Sequence, residues 1–597
     1  MANVLVVVDP DAERRTAFCK AVRPHLAPVD GLVAGACASR DFHALWAAGA
    51  RAPVSFWAGE QGTAVVWGRA LGEDGRPVEA RQLPDIWADI ASGRPEAFDG
   101  YHAAACWDAR QGLVLGADLL GMYPLYWWQG GGVLLAGSSP EPFRLHPAFR
   151  WTLDPGGLAG ILLTMHSVGG RTLMQGVRRL GAGHLLVVPQ GAAAREVAQF
   201  RLPVSTDHFD LPFASAVELL HETVVQAVAR HVPAGEPLTI ALSGGRDSRQ
   251  LAGAMAALGR SAVALTFGDE RDIGMGCARA VARSLGLAHH LRPVAVDRHD
   301  RRAKLHARWL HCTTGFNSIA YWDVQDELRA LPPLLVCGYA MDSIVGGSHM
   351  GWCLGPDGRT PSFAQFFRRI NQSGVELEIL RRLLRRDLFG DALDEVMDEL
   401  GRSYAGYSPF ETQRAWGFDL HHRQRFHIGN PPWLLSFGAW PVLPAIDREV
   451  LKVAGGLPAA ALADRRAQDE IIRTRFPALA ELPLERNRYD TTPLSPRLRD
   501  RVAKTLLARV TPRRRPRPKA AEQRFYHRMY DFDGPGWKAA RRAAEPFRER
   551  LHALFEKDAL DAYLPPPETD LRLGEGLAEA SGRKLILGLC YWAGEYL

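Results

Sequence analysis

The chain has 597 residues, 47 % hydrophobic and 23 % charged, with a formal net charge of +6. This is the profile of a multidomain globular protein and excludes disordered, collagen-like and low-complexity chains. The field of so small a charge is too weak to gather nucleic acid, and the longest apolar runs, 3–8 and 160–164, fall far short of the roughly 20 residues of a membrane span.

The opening MANVLVVVDPDAERR lacks a basic leader and meets acids at once, so it reads as a first strand and not as a secretory signal; a cytoplasmic protein is expected. Cys19, Cys37, Cys106, Cys277, Cys312, Cys337, Cys353 and Cys590 form no CxxC pair, which supports neither a zinc ribbon nor a disulfide framework and points to reduced, mostly buried thiols. Up to Gln199, short runs broken by glycine and proline (VSFWAGEQGTAVVWG, GLVLGADLL, GGVLLAGSS, GHLLVV) predict layered antiparallel sheets. Residues 200–212, FRLPVSTDHFDLP, have no periodicity and read as a linker between domain 1–199 and domain 213–597.

From Phe213 the spacing predicts a helix (216–231), a buried strand (238–242), a helix with Leu251, Met255 and Leu258 on one face, a strand (262–267), a helix (277–285) and a strand (289–294). That alternation predicts a parallel sheet with helices on its faces, an α/β class. Beyond Gly351 the pattern is mostly helical with aromatic-rich loops. RRLLRR, Arg381 to Arg386, reads as the solvated face of a helix. TPRRRPRPK, Thr511 to Lys519, is proline-interrupted and reads as an exposed linker in preference to a nucleic-acid arm, with an acidic docking partner left open.

The chemistry concentrates in two places. In LTIALSGGRDSRQLAG a strand ends near Leu242 and a helix starts near Asp247, which puts Ser243, Gly244 and Gly245 at the carboxyl edge of the sheet, where such folds bind ligands. Glycines there let backbone N–H groups approach an anion, and the helix start adds a positive end. The lysine of a GxxxxGK[ST] loop is missing, so this is not a Walker loop. Asp247 alone would repel phosphate, but with Mg²⁺ it holds pyrophosphate oxygens through the metal. LLVCGYAMDSIVGG repeats the pattern and offers a second carboxylate, Asp342.

SGGRDS and GYAMDSIVGG resemble the SGGxDS pyrophosphate loop and the second segment of the asparagine synthetase family of ATP pyrophosphatases. DGYHAAACWDARQGLVLGADLLGMYPLYWW, Asp99 to Trp128, is similar to the late part of a class II glutamine amidotransferase domain, and VLPAIDREVLKVAGGLP, Val442 to Pro458, to the family's helical segment beyond the active site. The resemblance implies an N-terminal-nucleophile-like α+β sandwich followed by a parallel-sheet ATP pyrophosphatase domain with a mostly helical C-terminal part. It implies ATP and Mg²⁺, with Leu242, Ser243, Gly244, Gly245, Asp247, Ser248, Thr266, Cys337 and Gly338 around the nucleotide and Asp247 and Asp342 on the metal. A substrate carboxylate would attack the α-phosphorus, giving an acyl-adenylate and pyrophosphate.

Departures from the family pattern refine the expectation. Its glutaminase uses an N-terminal cysteine, whereas this sequence starts Met1-Ala2-Asn3 and Cys19 and Cys37 are interior, so the first domain is expected to lack glutaminase chemistry. Tyr339 stands where asparagine synthetases carry glutamate and is similar to the tyrosine of β-lactam synthetases, which capture the acyl-adenylate with an internal amine. It reads either as a proton relay, with Glu378 or Glu376 as partner acid, or as a packed tyrosine; the two glutamates read as surface helix acids in preference to that role. Arg488, in Arg486-Asn487-Arg488, takes the place of a lysine that neutralises pyrophosphate, or is a surface arginine. Chain length and aromatic stretches at 425–440, 522–537 and 590–596, read as groove or core, make the lasso peptide cyclases the branch it resembles most. That implies a core peptide substrate, a leader peptidase and a small leader-recognition protein. A β-lactam synthetase-like cyclase and an ammonia-dependent amide ligase are the alternatives.

Overall fold

The computed structural model describes residues 2–60, 62–87, 98–314, 316–347, 350, 362–371, 373–486, 491–496, 525–571, 573 and 580–597. Among the described residues the first part holds twelve strands: β1 (Ala2–Val8), β2 (Val33–Ser39), β3 (Phe42–Ala48), β4 (Val54–Ala58), β5 (Gly62–Gly68), β6 (His102–Asp108), β7 (Gly112–Ala117), β8 (Tyr126–Gly130), β9 (Val133–Gly137), β10 (Arg178–Arg179), β11 (His184–Val188) and β12 (Arg195–Ala198). They form two six-stranded sheets, ordered β10-β8-β9-β1-β3-β2 and β12-β11-β7-β6-β5-β4, with every described pairing antiparallel.

Strand β1 shows why its sequence is an unbroken apolar run. Side chains alternate across a sheet; Val4 and Val6 pack between the sheets with Trp67, Ala103 and Trp107, while Leu5 and Val7 pack on the other face against Phe18, Leu158 and Leu162. The second sheet is likewise covered, its outer Val66, Ala104 and Leu185 lying under Leu83, Trp87 and Phe98. The expected layered sandwich is thus present, with helices outside both sheets.

The second part is built on β13 (Leu238–Ala241), β14 (Val263–Gly268), β15 (His289–Pro293), β16 (Leu334–Val336) and β17 (Trp440–Val442), all parallel in the order β15-β14-β13-β16-β17. The helices Arg246–Ala257 and Ile273–Ser284 make the first two crossovers. The chain steps outward from β13 through β14 to β15, then returns to lay β16 on the other side of β13. That reversal is the kind of crevice where open α/β sheets bind ligands.

Element ends moved by a few residues from the sequence expectation. Strand β17 is an addition: Val442, expected to open a helical segment, closes this strand, and the helix starts at Arg448. Trp440 of β17 docks on the sandwich, its Nε1 donating to the Tyr101 carbonyl at 3.1 Å. Residues 200–212 carry no helix or strand, and Gln413 holds them by donating to the Ser205 carbonyl at 2.7 Å.

Of the two readings of the aromatic stretches, groove or core, the described tryptophans take the core. Trp433, Trp440, Trp537 and Trp592 are all at most 1 % exposed. They fill the core, as large apolar side chains do when a helix can be covered on all sides. Among the described residues Cys19 is half-buried and the other cysteines are buried, all of them free thiols. Arg381 and Arg382 are exposed while Leu383 and Leu384 are buried, so RRLLRR is a solvated helical edge. Residues 511–519 lie outside the described residues. Among the described residues no helix is long and apolar enough to cross a membrane.

Candidate functional site

The two motifs meet where β13 and β16, neighbours in the sheet, end side by side. Leu242 continues β13 and is buried, its N–H donating to Leu265 at 2.8 Å. The Thr266 hydroxyl donates to the Leu242 carbonyl at 2.6 Å and lies 2.9 Å from His289 Nε2, which pins the start of the loop to β14.

Hydrogen bonds within the turn then shape it. The Ser243 N–H donates to Ser248 Oγ at 3.1 Å, the two serine hydroxyls are 3.1 Å apart, and the Gly245 N–H donates to Ser243 Oγ at 3.2 Å. Gly245 caps the helix Arg246–Ala257, whose first turn carries Asp247. Gly244 is required by close packing: a Cβ there would stand 2.4 Å from Cys277 Cβ and 2.9 Å from the Gly274 carbonyl oxygen. Gly338, in the second loop, lies against Asp247 for the same reason. Cys337 next to it is fully buried, which pushes its thiol far up and out of reactive range.

Asp247 and Asp342 converge on one guanidinium. Arg465 Nη1 is 3.1 Å from Asp247 Oδ1, and its Nη2 is 3.7 Å from Asp342 Oδ2. Gln468 Nε2 also donates to Asp247 at 2.8 Å. The backbone is strained on both sides of this contact. Asp464 and Arg465 have φ of 56° and 63°, and Ala340, before the turn carrying Asp342, has φ of 65°. Non-glycine residues rarely adopt this region, and such outliers gather at functional sites.

The electrostatics agree with the geometry. Burial and then the Asp247 charge push Asp342 up to about 6, against the lowering pull of Arg465 and Arg423. In the structure the cation between the two carboxylates is the Arg465 guanidinium. Among the described residues no cluster of three or more His, Cys, Asp or Glu is assembled as a protein-only metal cage. The pair fits Mg²⁺, a hard ion that takes one or two carboxylates and completes its shell with water and phosphate oxygens.

The remaining expected residues fall as follows. The Tyr339 hydroxyl donates to the Tyr321 hydroxyl at 3.3 Å, beside Phe267. Glu378 sits on the helix Leu377–Leu383 with its side chain 75 % exposed, paired with Arg381 at 3.2 Å, and Glu376 is exposed as the residue before that helix. This is the surface-acid placement that the sequence left open. Arg488 lies outside the described residues.

The structure adds residues that sequence reading passed over. Arg465 and Gln468 come from LADRRAQDE, more than 200 positions beyond Asp247, where no local pattern marks them. Arg249, fully buried, donates to the carbonyls of Gly244 at 3.3 Å and Leu479 at 2.7 Å and also bonds Pro483, tying the first loop to the segment before Arg486. Asp419 and Arg423 act electrostatically on Asp342 from the helix Asp419–Ile428, which no local pattern ties to the second loop.

Comparison with known proteins agrees with this arrangement. A glutamine amidotransferase domain model matches residues 86–200 and an asparagine synthase model matches 219–311, which includes Asp247. Asparagine synthetase [glutamine-hydrolyzing] 3 of Bacillus subtilis (strain 168) is 28 % identical over 154 residues, 25 % of this chain and 24 % of that protein. The match thus spans about a quarter of that relative's length. Together these make the chain similar to asparagine synthetases over residues 86–200 and 219–311. Among solved structures, the allosteric regulatory enzyme of purine biosynthesis is 10 % identical with a TM-score of 0.22, over 50 % of this chain and 82 % of that one. Glutamine phosphoribosylpyrophosphate amidotransferase from B. subtilis is 9 % identical with a TM-score of 0.22, over 49 % and 65 %. Likenesses of that depth carry no argument.

Proposed function

We propose that this protein is an ATP-dependent, AMP-forming carbon–nitrogen ligase that closes a macrolactam in a peptide, as a lasso peptide cyclase does. The observation that carries the ligase reading is the convergence of Asp247 and Asp342 on Arg465 at the ends of adjacent parallel strands.

In this reading Ser243, Gly244, Gly245 and Ser248 hold the phosphates of ATP at the start of the helix Arg246–Ala257, and Asp247 and Asp342 hold Mg²⁺. When bound, the metal would spread the negative charge that develops on the phosphates. Thr266 holds the first loop to β14 and Gly338 lets the second loop pack against Asp247, while Arg465 bridges the Asp247 and Asp342 carboxylates. A substrate carboxylate attacks the α-phosphorus and pyrophosphate leaves; the amine then attacks the acyl carbon and AMP leaves. The amine must shed a proton, and the Tyr339 hydroxyl, 3.3 Å from that of Tyr321, relays it. Arg488 neutralises pyrophosphate.

Tyr339 in the second loop supports capture by an amine of the same molecule over capture of free ammonia. Holding both ends of one chain together removes the entropic cost of a bimolecular encounter. The core peptide would reach the enzyme after a leader peptidase and a leader-recognition protein had acted, in the cytoplasm. A β-lactam synthetase-like cyclase with a small amino-acid substrate is the second reading, favoured by the burial of the tryptophans that a peptide groove would have used.

Incubation of the full chain with ATP, Mg²⁺ and candidate core peptides, followed by mass spectrometry, tests the proposal. Loss of one water from a peptide, with release of AMP, is expected. Dehydration of a small amino acid but of no peptide would favour the second reading, and AMP release without any dehydration would refute both.

A further inference from the structure

The helix Arg246–Ala257 opens with two arginines that are held in different ways. Arg246 Nε pairs with the carboxylate of Asp469. Arg249 is fully buried, and among the described residues its acceptors are four main-chain carbonyls. Its Nη1 donates to Leu479 at 2.7 Å and to Leu482 at 3.2 Å, and its Nη2 to Gly244 at 3.3 Å and to Pro483.

Carbonyls satisfy the hydrogens of a guanidinium without neutralising its charge. Burial, and then the Arg246 and Arg486 charges, push Arg249 down to about 10, which leaves it charged at neutral pH. Burying a charge that no acid pairs is costly, and an apolar side chain of similar volume would serve the fold as well. The use of this residue is therefore to be found in what it touches.

The Gly244 carbonyl is the informative contact. Besides Arg249 it accepts the Glu485 N–H at 2.9 Å, and a Cβ on Gly244 would stand 2.9 Å from the Glu485 Cβ. The carbonyl is thus turned inward, onto the segment 479–485 that Arg249 holds at Leu479, Leu482 and Pro483. The Gly244–Gly245 peptide is trans, so its N–H points to the opposite side. On that side Ser243 is exposed and Gly245 half-buried, and the Gly245 N–H reaches the Ser243 hydroxyl at 3.2 Å. An outward N–H in a glycine turn at a helix start is a donor for an anion.

We propose that Arg249 is a positioning residue for the phosphates: by tying the segment 479–485 to the Gly244 carbonyl it turns the Gly245 N–H toward the bound anion, and it keeps a positive charge behind the loop. The assignment rests on the phosphate reading of this loop and deepens it. Arg249 itself touches no reacting atom; it acts through the peptide it orients.

The test is calorimetric titration of the full chain with inorganic pyrophosphate in Mg²⁺ buffer, beside thermal melts. Arg249→Met keeps the length of the side chain and removes the charge and the donors, and should weaken pyrophosphate about ten-fold or more, the scale of a hydrogen bond to a charged group. Arg541→Met is the control for a merely structural role. Arg541 is also a buried arginine bonded to carbonyls, those of Pro565, Pro566 and Thr569, in the C-terminal region. It should lower the melting temperature and leave pyrophosphate affinity unchanged. Arg249→Lys keeps the charge without the planar fork and should recover part of the affinity; if Arg249→Met does not fold, Arg249→Lys is compared with wild type and should bind pyrophosphate several-fold more weakly. Wild-type affinity in a folded Arg249→Met or, failing that, Arg249→Lys, or equal losses in Arg249→Met and Arg541→Met, would overturn the assignment while leaving the phosphate reading of the loop intact. A wild type that binds no pyrophosphate would overturn that reading and this assignment with it.

Discussion

Gly338 lies so close to Asp247 that a Cβ at position 338 would stand 3.0 Å from the Asp247 Cβ and 3.2 Å from its carbonyl carbon. The two loops of the site are therefore spaced by a missing side chain. Gly338→Ala should drive them apart at an overpacking cost of about 1–3 kcal/mol and weaken ATP binding about ten-fold or more. Fluorescence titration with a labelled ATP analogue, beside a thermal melt, checks this; unchanged ATP affinity would show that the spacing does not matter.

Arg465 neutralises Asp247 and Asp342 together, so it competes with any metal for the same oxygens. Arg465→Ala should lower the melting temperature in metal-free buffer through repulsion between the two acids, and should give a larger upward shift on adding Mg²⁺ than the wild type shows. Thermal unfolding across a Mg²⁺ series measures both effects. An equal Mg²⁺ response in the two proteins would mean that the carboxylates do not form a cation site.

Tyr339 donates to Tyr321 within the second loop's surroundings. Tyr339→Phe removes that donor while leaving the ring, so adenylation should persist and ring closure should slow by roughly 10²–10⁴-fold, the span of general acid–base contributions. Single-turnover AMP release measured beside product formation separates the two steps. Equal slowing of both would place Tyr339 in binding and not in proton transfer.

A buried charge cluster ties the C-terminal helix Ser581–Tyr596 to the sandwich and gives a pH signature. Glu141 accepts from Arg144 at 2.8 Å and Arg308 at 3.0 Å, lies 3.5 Å from His311 and accepts from the Tyr596 hydroxyl. Burial pushes its carboxyl up, but His311, Tyr596 and Arg144 outweigh burial and hold it at about 2, against 4.5 unperturbed. A depressed acid stabilises the fold above its unfolded value, so this contribution is complete above pH 4.5 and lost as the pH falls toward 2. Glu141→Gln should destabilise by about 2–3 kcal/mol at neutral pH, with the difference from wild type shrinking below pH 4.5. Denaturant unfolding at a series of pH values measures it.

Local patterns carried much of this molecule. The alternation around LTIALSGG and LLVCGYAMD placed both acids at strand ends, because strand, glycine turn and helix start are each written in neighbouring residues. Arg465 and Gln468 were invisible, since their role comes from a fold-back across more than 200 residues. The three-residue strand β17 is too short to show a period of its own. The aromatic stretches stayed open between groove and core because a tryptophan in a core helix and one in a binding groove look alike in sequence; the burial of Trp433 and Trp592 separates them.

Carboxylate-dependent exchange of labelled pyrophosphate into ATP tests the central claim most directly, in the wild type and in Asp247→Ala and Asp342→Ala. The account predicts Mg²⁺-dependent exchange in the wild type and none in either variant, with both variants retaining the wild-type circular dichroism spectrum. Exchange at the wild-type rate in a folded variant lacking either carboxylate would contradict it.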